Sequence, residues 1–355
     1  MKDQGTQRIY FLDSLRGIAA IMVVFYHFIG WHYPQSLKFH LSSLIFNGSD
    51  AVSFFFVLSG LVLSLGLFKS IDKLNIWNYT YRRFLRLYPA YVIVVLANFL
   101  YWNRANIDLS VFKELLYLNN QNIWQELVLL RSNHKFYVPG WTLEVEMALS
   151  LLMPLIIVVA KHNVKYLYFL LLLPFLISGH ISSFIFHFTL GTLIAYHYDD
   201  IRNYDFKSSK WFKFRYLIYL VIFFFYSVRH IERMSPFGSF YYKVMEYLRI
   251  DIFHYTGLAS AAILIIVINN QKIQNFLHKK LFKFLGEISY SVYLTHWLFV
   301  VYIMDNWQKF LGYFPNFYVG FLILLIACLS ATILSSYLLY KFIELPFIKL
   351  SKKAV

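Results

Sequence analysis

Apolar residues run along this chain in long unbroken blocks, with neither strand-like alternation nor a narrow helical stripe. VIVVLANFLYW and LILLIACLSATIL are two of them. A helix needs about 20 such residues to cross a bilayer, and only helices or closed barrels satisfy their own backbone there. A barrel would read as segments of about ten residues alternating in polarity. These blocks do not alternate, so the pattern predicts an all-α, polytopic membrane bundle. About ten spans are expected on this length criterion, over 10–31, 50–68, 84–103, 142–160, 164–179, 181–198, 214–230, 252–270, 286–305 and 317–341. The fifth and sixth are separated by little more than SGH and should form a tight helical hairpin. Two connecting segments are long, 104–141 and 231–251. The first contains VFKELLYLNNQNIWQELVLL, which reads as an amphipathic helix lying on or dipping into the membrane. No inverted repeat, low-complexity tract or soluble domain interrupts the pattern, so 1–355 reads as a single membrane domain.

Composition agrees: 59% of the residues are hydrophobic and 14% charged, whereas a soluble domain has about half and about a quarter. A net charge of +15 in a soluble domain would point to nucleic acid. Here the cations sit in several loops beside apolar blocks, where topology and anionic headgroups explain them, and no nucleic-acid partner is expected. With the N-terminus inside, two-thirds of the 33 lysines and arginines fall on the inner side, so both termini are expected in the cytoplasm. Cys328 is the lone cysteine. It rules out a disulfide framework or a cysteine-based metal site within one chain and reads as a small hydrophobe. The first block has Arg16 in its path and no convincing cleavage site, so it is expected to persist as a span and not to be removed as a signal peptide.

Against this background, ionisable residues inside the apolar blocks stand out, because charge in hydrocarbon is expensive and marks function by default. The first block, FLDSLRGIAAIMVVFYHFIGW, carries Arg16 and His27. Their eleven-residue spacing is three helical turns plus ~20°, which puts both on one face, ~16 Å apart along the axis. A snorkelling arginine and a hydrogen-bonded histidine compete with the functional reading. In YRRFLRLYPAY, Arg83 and Arg86 are helical neighbours. Together they offer bidentate sites for phosphate or carboxylate, or else a positive-inside anchor. His296 follows Tyr293 by three residues and faces the same way, as a second acid/base or a structural hydrogen-bonder. His187 and His197 lie ~80° out of alignment and are not expected to share a site. His134, before VPGW, is expected to be solvent-exposed. Trp124, Tyr137 and Trp141 suit either sugar stacking or the membrane interface. Asp13 and Glu344 are expected to pair with arginines. Neither metal-ligand spacing nor a phosphate-cradling glycine loop is present, so no metal is expected.

The pattern Arg-x10-His in a first span, followed by Arg-x-x-Arg before the third, resembles the acyltransferase-3 family of membrane acyltransferases. Further motifs agree in order: FFFVLSGLVLS at 54–64, WTLEVEMALSLLMPL at 141–155, LGEISYSVYLTHW at 285–297 and IELP at 343–346. The second of these matches the family carboxylate to Glu146, at the outer end of the fourth expected span. It departs from the family in having ALS after Met147 where Phe-Tyr is usual. The esterase-like C-terminal domain that some members carry is not expected here, which leaves the chemistry to the membrane part.

The resemblance implies acyl transfer from cytoplasmic acyl-CoA, usually acetyl-CoA as co-substrate, to a hydroxyl of a cell-surface polysaccharide or its lipid-linked precursor. It implies a multi-pass protein of the cytoplasmic (inner) membrane. It also implies that His27 is the central catalytic residue, assisted by Arg16, and that Arg83 and Arg86 bind the donor. The chemistry is consistent: histidine titrates nearest working pH and serves as a base, or neutral imidazole attacks the thioester and carries the acyl group. Glu146 would orient His27, bind acceptor hydroxyls, or partner a buried cation. Trp141, Tyr293 and His296 are the remaining candidate acceptor contacts. The expected partners are acyl-CoA, a glycan acceptor and membrane lipids, with a homo-oligomer left open. Two readings compete: the same donor with a small-molecule acceptor, and a secondary transporter or exporter with Arg16 and His27 lining its path. The ordered motifs and the missing repeats count against the transporter.

Overall fold

The apolar blocks fold as helices, as their length demands. The computed structural model describes residues 9–32, 48–104, 121–129, 134–172, 180–227, 243 and 252–353, and among these every regular element is helical. The chain runs through α1 (Tyr10–His32), α2 (Gly48–Ser70), α3 (Ile76–Trp102), the short α4 (Gln121–Leu127), α5 (Gly140–His162), α6 (Lys165–Leu170), α7 (His180–Tyr196), α8 (Tyr198–Asn203) and α9 (Arg215–Tyr226). It continues through α10 (Ile252–Asn269), α11 (Gln271–Leu277), α12 (Lys280–Glu287), α13 (Ser289–Asp305), α14 (Trp307–Leu311) and α15 (Phe317–Leu339). A π-helical turn over Tyr340–Glu344 then leads into α16 (Leu345–Lys353).

Five helical stretches among the described residues are long and apolar enough to cross a membrane: α1, α2, α3, α5 and the run from α15 to α16. A sixth is added if α10 and α11, bent by 94°, count as one broken span. The expectation of about ten is therefore met in part. α7, α9 and α13 fall at expected spans but have only 17, 12 and 17 residues. The fifth expected span is helical over Lys165–Leu170, and 173–179, with the expected hairpin turn, lie outside the described residues. Of the expected amphipathic helix, only α4 is described.

Local chemistry moves several boundaries. The Asn75 side chain accepts the Asn78 N–H at 3.1 Å, an N-cap that starts α3 eight residues before the expected 84. Asn270, in extended backbone, accepts from Lys272 and Ile273 N–H, so a new helix begins where the apolar run ends, and α10 breaks from α11. In IELP, Pro346 has no N–H for the carbonyl four residues back. The ladder slips to a wider turn, with the Leu345 N–H bonding the Tyr340 carbonyl.

The chain divides into two compact units: Met1–Tyr26, Pro34–Leu74 and Leu149–Glu287 in the first, His27–Tyr33, Asn75–Ala148 and Ile288–Val355 in the second. In the first, small residues bring backbones together, as membrane helices require when hydrophobicity alone does not drive their association. A Cβ on Gly60 of α2 would meet the backbone of Phe188 in α7, and one on Gly191 would meet the backbones of Val57 and Leu61. Ser64 donates to the Thr192 hydroxyl at 2.9 Å across the same seam. Gly17 and Gly286 repeat the arrangement between α1 and α12: added Cβ atoms would lie 2.5 Å from Leu285 C and 2.6 Å from Asp13 C. The motif glycines at 60 and 286 are thus packing residues. In the second unit, Tyr91, Phe99, Ile123, Tyr137, Leu143, Leu294 and Trp297 form the core.

Gly60→Ala is expected to lower the stability of the detergent-solubilised protein by about 1–3 kcal/mol, the usual cost of overpacking. A thermal unfolding curve of the variant beside the parent measures it, and an unchanged midpoint would contradict the close seam.

Candidate functional site

Asp13 lies in the first turn of α1, where negative charge is favoured. Three residues on, Arg16 Nη1 is 3.0 Å from its Oδ1, with both side chains 16% exposed. The pair carries a guanidinium inside an apolar helix in compensated form. It belongs to the first unit, and it fulfils the expectation that Asp13 partners an arginine.

His27 belongs to the second unit. Its Nδ1 is 3.0 Å from Nε2 of His296, the two rings lie edge to edge and nearly parallel, 20° apart with centroids at 5.1 Å, and the Trp297 ring stands edge-on at 5.3 Å. His296 is fully buried. Its Nδ1 is 2.6 Å from the Tyr293 carbonyl oxygen, which also accepts the Tyr137 hydroxyl at 2.9 Å. The three-residue spacing of Tyr293 and His296 does bring them side by side, with rings 5.6 Å apart.

Every polar side chain of the Ser-Tyr-Ser-x-Tyr-Leu-Thr-His run that faces the second unit finds a partner. Tyr290 donates to the Leu87 carbonyl of α3 at 2.6 Å. Ser291 donates to Glu344 at 2.9 Å. The Tyr293 hydroxyl is 2.7 Å from Thr142 Oγ1, and Thr142 in turn donates to the Pro139 carbonyl at 2.9 Å.

The approach to α5 is held by a residue that the sequence reading passed over. Glu126 is fully buried, and its two carboxylate oxygens accept the Phe136 and Tyr137 N–H groups at 2.8 and 3.1 Å. Burial pushes its pKa up, against the pull of those N–H donors and of His134. Tyr91 donates to the Glu126 carbonyl at 2.6 Å, which ties α4 to the middle of α3. His134, expected in solvent, is 7% exposed and lies 3.3 Å from Glu144 through Nε2. The expectation fails because the segment before α5 folds inward onto Glu126. His134 also has a φ of 39°, in the left-handed region that costs a non-glycine residue, and a Cβ at Gly140 would come within 2.8 Å of its ring. Tyr137, a candidate for sugar stacking or the membrane interface, is instead fully buried and hydrogen-bonded, while Trp124 and Trp141 are partly exposed.

Because α5 starts level with the middle of α3, Glu146 meets Arg83, Oε1 to Nη2 at 3.7 Å, with the side chains 26% and 12% exposed. The two guanidiniums expected to act together therefore differ: Arg83 turns in to Glu146 while Arg86 is exposed. The Arg83 Nε–H is buried with no acceptor among the described protein groups. Of the two α7-region histidines, His187 is buried against Gly257 and His197 faces Asp200 at 3.3 Å, so they share no site, as their spacing indicates.

The geometry thus assembles His27, His296 and the Tyr293 carbonyl in one hydrogen-bonded line. The signal for Glu126 was a single carboxylate in the otherwise apolar and amide-rich NIWQEL. No signal in the sequence joined His27 to His296, 269 residues away. A family model described as an acyltransferase domain matches residues 9–341, nearly the whole chain. No curated protein and no solved structure matches it.

Glu126→Ala is expected to leave two buried N–H groups without acceptors, at about 1–3 kcal/mol each. A drop in the thermal midpoint of the purified variant checks this; a midpoint equal to the parent's would show that Glu126 does not hold the segment.

Proposed function

This chain belongs to the acyltransferase-3 family of membrane acyltransferases, and from that membership we propose that it moves an acyl group, acetyl foremost, from cytoplasmic acyl-CoA to a hydroxyl of a cell-surface polysaccharide or its lipid-linked precursor. The observation that carries the reading is His27, an imidazole on an apolar helix, hydrogen-bonded to a second buried imidazole from the late family motif. Imidazole is the side chain best matched to taking a hydroxyl proton near neutral pH. In this reading the acceptor oxygen attacks the thioester carbon as His27 takes its proton. The carbon–sulfur bond then breaks, and the proton passes to the departing thiolate. The alternative order, in which His27 itself attacks and holds the acyl group before the hydroxyl arrives, uses the same residue.

The arginines suit the donor's phosphates. Arg83, oriented by Glu146, and the exposed Arg86 would bind them near the start of α3; Arg16 is proposed as an assisting residue from the family pattern alone. Trp141 is the proposed acceptor contact; Tyr293 and His296, also candidates from the sequence, are buried and hydrogen-bonded within the protein. The reading places the protein in the cytoplasmic membrane, as one domain with both termini on the donor side.

The test uses the full-length protein in liposomes with radiolabelled acetyl-CoA and a panel of polysaccharides and hydroxylated small molecules. The expected product is label in a base-labile ester on a polysaccharide. His27→Ala, at equal expression and thermal midpoint, should lose at least ~10²-fold of that activity, the lower end for a general base. Full activity in His27→Ala would overturn the assignment of His27, and label appearing only on small molecules would overturn the polysaccharide acceptor.

A further inference from the structure

The position of the His27 proton is decided by a carbonyl two bonds away along the hydrogen-bonded line. A carbonyl oxygen only accepts, so the 2.6 Å contact from His296 Nδ1 to the Tyr293 carbonyl requires the His296 proton on Nδ1. A neutral imidazole has one N–H and one lone pair. His296 is fully buried, and the groups it bonds, a carbonyl and an imidazole, are uncharged, so the neutral ring is the one this setting accommodates. Its Nε2 then carries the lone pair. The 3.0 Å contact with His27 Nδ1 needs one proton, and only His27 can supply it. His27 is thereby the Nδ1–H tautomer, with its lone pair on Nε2.

We propose that His296 is a positioning residue that fixes His27 in the Nδ1–H tautomer, directs Nε2 to the reacting group and shares the charge that His27 acquires. The proposal deepens the reading of His27 given above and rests on it for its catalytic consequence. When Nε2 takes the acceptor's O–H proton, the imidazolium formed has its Nδ1–H already on His296 Nε2, so the positive charge spreads over two rings. When the carbon–sulfur bond breaks, the Nε2 proton leaves with the thiolate, and the pair returns to its starting state. If His27 instead attacks the thioester carbon through Nε2, the thiolate departs and the acyl-imidazolium keeps its Nδ1–H on His296 Nε2. The acceptor hydroxyl then displaces the ring, Nε2 regains its lone pair, and the hydroxyl's proton goes to the departed thiolate. The same neighbour serves both orders of events.

The surroundings hold this line in register. The Tyr137 hydroxyl bonds the Tyr293 carbonyl from a second direction, the Tyr293 hydroxyl is anchored on Thr142, and the Trp297 edge sets the His27 ring plane. A histidine serving only as packing would need none of these directional contacts.

The experiment pairs two substitutions with a spectroscopic observation on the full-length protein in detergent. In His296→Gln the side-chain oxygen can accept the His27 Nδ1–H, and His296→Phe keeps a ring in the same place without an acceptor. The glutamine variant should stay within roughly tenfold of the parent, and the phenylalanine variant should lose ~10²-fold or more in kcat, at the scale of a lost acid/base function. Nitrogen NMR of the ¹⁵N-histidine-labelled parent, with the His27 signals identified by difference from His27→Ala, should show Nδ1 protonated and Nε2 as the lone-pair nitrogen. Phenylalanine activity equal to the parent's, or a His27 proton on Nε2, would overturn the proposal. The NMR result does not depend on either His296 variant folding. An active His27→Ala with the Nδ1–H tautomer present would remove the catalytic reading and leave the tautomer assignment standing.

Discussion

The second unit is organised by the requirement that a polar group buried away from water finds a protein partner. α13 meets it five times within seven residues, and each time on a different part of the chain. Tyr290 reaches α3, Ser291 the π-helical turn, Tyr293 the start of α5, Thr295 α15 through Ser336 and His296 the end of α1. Each bond contributes only about 0.5–1.5 kcal/mol net. Their effect lies in direction more than in sum, because a helix bonded on several sides cannot rotate without stranding a buried donor or acceptor. The motif reads as chemistry in one dimension, yet Tyr290, Ser291, Tyr293 and Thr295 act as anchors, and those anchors put His296 against His27.

The first unit solves a different problem by different means. Arg16 has to lie in an apolar helix, and Asp13 compensates its charge one turn earlier. The backbone of that turn is clamped by the reciprocal glycines Gly17 and Gly286 and by the Ser14 hydroxyl, which donates to the Leu277 carbonyl at 2.8 Å. Close backbone approach leaves no room for the turn to shift and carry the guanidinium into lipid. The glycine and the histidine of the LGEISYSVYLTHW motif thus serve separate units, one fixing α1 near Arg16 and the other bonding His27.

How much of this was legible in the sequence depends on whether the deciding partner is a side chain or the backbone. The apolar blocks, the first span with its arginine and histidine, and the ordered motifs were readable, because periodicity and residue type carry them. The early start of α3 and the break at Asn270 come from asparagines bonding backbone N–H groups, which hydropathy does not register. The burial of His134 followed from the same cause: Glu126 bonds two backbone N–H groups, and neither Phe136 nor Tyr137 advertises that partner by its side chain. The meeting of His27 with His296 was not legible, since contact between residues 269 positions apart is a property of the folded unit. Arg83 looked like the twin of Arg86 until the inward fold before α5 set Glu146 beside it.

The charge pattern bears on why a membrane protein would carry out such a transfer at all. Arg16 and Arg83 each sit beside a carboxylate, and in the proposed tautomer assignment the line from His27 to the Tyr293 carbonyl carries no charge. In the proposed reaction, the donor brings several negative phosphates and one neutral acyl group. Moving the phosphates into hydrocarbon would cost far more than any contact there returns, so they belong with the arginines toward the start of α3. Only the acyl group and its thioester, both uncharged, need to reach the histidine pair. The charge that does appear, one proton's worth on His27, forms next to a ring already poised to share it. In the proposed reaction, that separation keeps the donor's charges with the arginines while the uncharged acyl group reaches the histidine pair.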